Sequence, residues 1–146
     1  MEFLILAFTL AVLNNGGPAV GTGPVPKTLA DCPKRPNCVS SEARDAGHAV
    51  APLVLRGDPG KSWEGICEVV RQLPRCEVVR KSDAFLHVIF KSRIFKFIDD
   101  LELLRVPGTR RVAIRSASRK GYSDLGVNRK RVEKLRYLLR EKALID

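Results

Sequence analysis

The chain is poor in the residues and motifs that commonly announce a reaction. Its 146 residues include two histidines, one tryptophan, one methionine and four cysteines. His48 and His87 are the only imidazoles that could complete a zinc set. The CPKRPNC spacing of Cys32 and Cys38 is not that of a zinc knuckle, so no metal is expected. No Gly-rich phosphate loop, HExxH or GxSxG occurs, which removes the usual signatures of NTPases, metalloproteases and α/β-hydrolases. No cofactor is expected. Asp99 and Asp100 are adjacent, and in a strand they point to opposite faces, so they do not form a paired acid and base. A hydrolase would need Ser116 or Ser118 to meet His87.

Long hydrophobic runs are also missing. The stretch Phe3–Leu13 has eleven residues with only Thr9 polar, whereas a spanning helix needs about 20. It fits the apolar part of a signal peptide. Small residues follow it, but no Lys or Arg precedes Lys27 and Glu2 is acidic, so the basic flank of such a segment is absent. The expectation is an exported, membrane-associated or organellar protein. The alternative is a cytoplasmic one whose first strand is hydrophobic.

Hydrophobic residues make up 45% of the chain and charged ones 29%, which excludes a collagen-like, disordered or multi-span membrane protein. The net charge is +10 and uneven. Residues 1–60 carry five bases and five acids, whereas residues 103–146 carry 13 bases and 4 acids. Four cysteines allow three disulfide pairings. If the chain is exported, Cys32–Cys38 is the preferred bridge, because two prolines already restrict that loop. Cys67 and Cys76 read as small buried hydrophobes.

Residues 1–28 read as a targeting segment and linker, and 29–146 as one domain. The stretch 14–48 lacks periodicity and reads as a processed or extended arm. Ala49–Leu55 is a short apolar strand, with Pro52 arguing for an edge. Asp58 can cap a helix that Pro59 begins and Pro74 stops, with Trp63, Ile66, Val70 and Leu73 on its core side. Alternation then predicts strands at Arg75–Arg80, Ala84–Lys91, Phe95–Phe97 running into Asp100–Leu104, and Arg111–Ala117. Pro107-Gly108 makes a tight turn. Asn128 is the expected cap of a closing helix, with Val127 and Val132 as a hydrophobic staple and Val132, Leu135, Leu139 and Ala143 facing the core. The fold class is therefore α+β: an antiparallel meander sheet of about five strands, with two helices packed on one face.

One local rule is broken. The closing helix begins Arg129-Lys130-Arg131, although a helix N-terminus favours acids. In one reading, Asp99, Asp100 and Asp124 neutralise Arg115, Arg119 and Arg131 in an internal ion-pair network. In the other, Arg115, Arg119 and Arg129, with Ser116, Ser118 and the helix N–H groups about Asn128, bind an anion. That anion would belong to a small molecule, a lipid headgroup or a protein. Nucleic acid is disfavoured, because only Tyr122 and Tyr137 are aromatic in this basic stretch. A non-catalytic binding module is preferred over an enzyme using the same loop.

The segments CPKRPNCVSS (Cys32–Ser41), FIDDLE (Phe97–Glu102) and RSASRKGYSDLGVNRKRVE (Arg115–Glu133) resemble the domain-of-unknown-function family numbered 1499. The resemblance runs from about residue 29 to 140. It implies a shared domain and no particular reaction. The matching positions include Cys32, Cys38, Asp99, Asp100, Arg115, Ser116, Ser118, Arg119, Asp124, Asn128, Arg129 and Arg131.

Overall fold

The computed structural model describes Gly21 and residues 23–146; the apolar run Phe3–Leu13 lies outside the described residues. The elements are β1 (Cys38–Ser40), β2 (Leu53–Val54), α1 (Pro59–Arg71), β3 (Cys76–Lys81), β4 (Phe85–Lys91), β5 (Ile98–Arg105), β6 (Arg111–Ser118) and α2 (Val127–Glu141). The fold is α+β. Six strands form an antiparallel sheet in the order β1-β6-β5-β4-β3, and β2 also pairs with β6. Thus β1 lies beside Arg115–Ala117 and β2 beside Arg111–Val112, sharing one edge of β6.

Period-two patterning sorts the side chains of the sheet. Leu86, Val88 and Phe90 of β4, with Leu101, Leu103, Val112 and Ile114, face the helices on the inner face. Trp63, Ile66 and Val70 of α1 and Val132, Leu135 and Leu139 of α2 pack onto them. Asp58 accepts the Lys61 N–H at 2.8 Å and Pro59 opens α1, so both N-terminal signals are used. On the outer face, Phe85, Leu104 and Ala113 make a small second cluster closed by Leu29.

That closure corrects the reading of residues 14–48 as a mere arm. Gly21 bridges to Arg80 on β3, Leu29 packs over the middle strands, and Cys32 is disulfide-bonded to Cys38 in β1. The segment therefore crosses the outer face from one edge of the sheet to the other. Residues Cys38–Ser40 are an edge strand that sequence patterning did not separate from the loop.

Other differences are local. The Ala49–Leu55 strand shrinks to Leu53–Val54, because the Pro52 nitrogen has no hydrogen to donate. Arg75 adopts a left-handed φ of 58° and turns the chain before β3 begins. Phe95-Lys96-Phe97 forms the β4–β5 turn rather than a strand. Ala143 is exposed, with φ 53°, and reverses the chain so that Ile145 pairs with Leu55.

Candidate functional site

The start of α2 is where the charge conflict arose, and its cap is not Asn128. Gly126 is the N-cap, at φ 81°, a conformation that Cβ sterics disfavour in other residues. The negative charge comes from Asp124, whose carboxylate accepts the Gly126 N–H at 2.8 Å and the Asn128 N–H at 3.1 Å. Burial acts to raise the Asp124 pKa, but the Asn128 amide and these N–H groups outweigh it and hold it below the ordinary value. The expected staple is absent, since Val127 is 45% exposed while Val132 is buried.

Asn128 is instead a buried hub. Its amide oxygen accepts from Ser116 Oγ and Arg131 Nη1, both at 2.7 Å. Its amide nitrogen donates to Asp124, Ser118 and the Asn37 carbonyl, at 2.7, 2.9 and 3.2 Å. One side chain thereby ties α2 to β6, to the loop between them and to the approach to β1.

The acids and bases divide between the two faces of the sheet. On the inner face, Asp99 meets Arg131 at 2.6 Å, with both side chains about 15% exposed. On the outer face, Asp100 takes both Nε and Nη2 of Arg119 at 2.8 Å and lies 2.7 Å from His87. Burial again acts to raise Asp100, but Arg119 and His87 together hold its pKa below the ordinary value. Arg115 pairs with Glu102, at 3.1 Å, rather than with an aspartate. Arg129 donates to the Gly47 and Ala49 carbonyls at 3.1 and 2.9 Å. Ser116 and Ser118 lie on the inner face and His87 on the outer, so the sheet separates the hydroxyls from the imidazole.

Sequence reasoning missed a second use of arginine. Arg136 is buried and donates to the Ala51 and Pro52 carbonyls at 2.6 and 3.0 Å. Arg110 donates to those of Leu55 and Gly57 at 3.1 and 2.7 Å. With Arg129, these side chains satisfy carbonyls along residues 47–57, a segment with little secondary structure of its own. The available signal was the coincidence of a Pro- and Gly-containing segment with surplus arginine. Throughout residues 103–146 every arginine has a carboxylate or carbonyl partner. Lys120, Lys130, Lys134 and Lys142 have none among the described residues.

Lys130 and Lys134 border a solvent-open cleft of about 320 Å³ between the start of α2, the turn after α1 and the end of β4. Its apolar lining is Leu73, Pro74, Phe90, Val127 and Leu135, and Arg75 stands on the same rim. The Arg131 guanidinium, held by Asp99, stacks 4.6 Å from the Phe90 ring centroid within this wall. Arg75 likewise has no carboxylate partner among the described residues. The cleft thus combines an apolar wall with three uncompensated cations. The thiols of Cys67 and Cys76 are pushed up by burial to about 12 and about 11, which leaves them neutral and unreactive.

These features define a small α+β protein with an internally paired polar cluster and, adjoining it through Asp99 and Arg131, a basic, partly apolar cleft. The chain belongs to the family described as protein of unknown function (DUF1499), whose model matches residues 28–139. No curated protein and no solved structure matches it. No helix among the described residues is long and apolar enough to cross a membrane. The Cys32–Cys38 disulfide is a bond favoured in oxidising compartments.

Proposed function

We propose that residues 29–146 act as a non-catalytic binding module, exported or organellar, whose ligand is an anionic amphiphile held in the cleft. The observation that carries this reading is the pairing of an apolar wall with Arg75, Lys130 and Lys134, cations without carboxylate partners among the described residues. An acidic head would meet the rim, and a short apolar body would cover Leu73, Pro74 and Val127. Of the residues near the start of α2, Ser116, Ser118, Asn128, Arg131, Asp99 and Asp124 then serve as a clasp that fixes α2 on the inner face, Arg129 ties it to Gly47 and Ala49, and Arg115, Arg119 and Asp100 pair on the outer face. Their guanidinium groups are already engaged, which argues against a ligand there. The disulfide supports the oxidising compartment.

Calorimetric titration with dodecyl phosphate tests the cleft. Binding is expected to the wild type, and Lys130→Ala/Lys134→Ala is expected to weaken it roughly tenfold or more, at about 1.4 kcal/mol per tenfold. Inorganic phosphate alone is expected to bind far more weakly. Equal affinity in the double variant, or no heat from dodecyl phosphate, would remove the reading.

A further inference from the structure

The end of the sheet where β4 stops and β5 starts carries an unusual surface. Ile94, Phe95 and Phe97, in the turn between those strands, are 81%, 73% and 51% exposed. The turn is built rather than loose. Ser92 Oγ accepts the Phe97 N–H at 2.8 Å, the Ser92 N–H reaches the Phe97 carbonyl at 2.9 Å, and the two phenyl rings stack with centroids 5.5 Å apart. The β6–α2 loop leaves the same end of the sheet and raises Tyr122, Leu125 and Val127 into solvent. Leu125 is 86% exposed and sits at φ 54°, so the backbone carries left-handed strain while presenting a leucine to water. Six of the nine large exposed apolar side chains among the described residues are thus gathered at this end.

Cations surround them. Arg93 and Lys96 lie within the turn itself, Lys120 in the neighbouring loop, and Lys130 at the start of α2. None of these four has a carboxylate partner among the described residues. The nearby acids Asp99 and Asp124 are already held by Arg131 and by the helix start. Apolar tips ringed by bases suit an interface with apolar depth and negative charge. A lipid surface with acidic headgroups offers both, with each base near it worth about 1 kcal/mol.

We infer that this end docks the domain on an anionic bilayer, with Ile94, Phe95 and Phe97 entering the headgroup boundary and Arg93 and Lys96 meeting the acidic lipids. The surface shares Val127 and Lys130 with the cleft, but the docking turn is distinct from it, since none of Arg93, Ile94, Phe95, Lys96 and Phe97 lines the cleft.

Sedimentation of the full chain with vesicles of phosphatidylcholine, with and without phosphatidylserine, tests the docking. Retention is expected on the serine-containing vesicles and should fall as salt rises. Arg93→Gln/Lys96→Gln should weaken retention roughly thirtyfold, the loss of two bases at about 1 kcal/mol each. Phe95→Ser/Phe97→Ser should weaken it at least as much, with the circular dichroism spectrum unchanged because the rings are exposed. Every variant keeps the same apolar run at Phe3–Leu13, so differences between variants belong to the turn. Phe95→Trp should show blue-shifted emission on the anionic vesicles alone. Equal retention on both vesicle types, equal retention of the variants, or an unshifted tryptophan would overturn the docking. Dodecyl phosphate affinity in the turn variants separates the outcomes, because it is expected to stay at the wild-type value whether or not docking holds.

Discussion

Asn128 shows how much one polar side chain can hold when it is fully enclosed. It satisfies a hydroxyl, a guanidinium, a carboxylate and a main-chain carbonyl from four parts of the chain. Leucine has similar bulk but makes none of these bonds, and each buried group left without a partner costs about 1–3 kcal/mol. Asn128→Leu is therefore expected to lower the midpoint of chemical denaturation sharply, by several kcal/mol in stability. A loss under about 1 kcal/mol would mean that water replaces the amide. The sequence supported a cap at this position because asparagine favours caps and Val127 and Val132 have the spacing of a staple. The actual cap was legible in Asp124-Leu-Gly126, an acid two residues before a glycine. What hid it was the left-handed pair Leu125 and Gly126, since leucine seldom adopts that conformation.

At the scale of elements, the segment over the outer face behaves as a strap. It is fixed by the Gly21–Arg80 bridge at one end and the disulfide at the other, with Leu29 pressed between. Closing so small a covalent loop restricts the unfolded chain by about 2 kcal/mol. Reduction should lower the thermal midpoint and expose the segment around Leu29 to proteolysis before the helices. Simultaneous cleavage everywhere would deny the strap a separate role. The main elements were legible because α1, β4 and β6 carry clean helical or alternating patterns, with a cap at Asp58 and breaks at Pro74 and Pro107. β1 was not, because three residues are too few for a period and its partner is distant in sequence. For the same reason the role of Arg136 was hidden: a buried arginine and a carbonyl 84 residues away leave no local trace.

Across the whole molecule, three carboxyl groups among the described residues are lowered, and the two that are partly buried, Asp100 and Asp124, bear most on the response to acid, since Asp45 is exposed. Asp100 and Asp124 both have folded pKa values below the ordinary 3.8. The stability they contribute is complete above that unfolded value and is lost as the pH falls through the folded values. Denaturant midpoints should therefore drop below about pH 4. Asp124→Asn, which cannot titrate, should flatten part of that drop. An unchanged acid profile in this variant would assign the loss to other groups. The surplus of bases resolves at this scale too. In the closing third of the chain the arginines bind the protein to itself, and the lysines do not. A planar guanidinium with several donors suits carbonyls and carboxylates, whereas an ammonium on a long stem remains hydrated. Within residues 103–146, architecture and outward charge are therefore carried by different residue types. Substitution or acylation of Lys120, Lys130 or Lys134 can alter what the surface attracts without orphaning a single backbone carbonyl, so descendants of this chain can change their targets while inheriting the same scaffold.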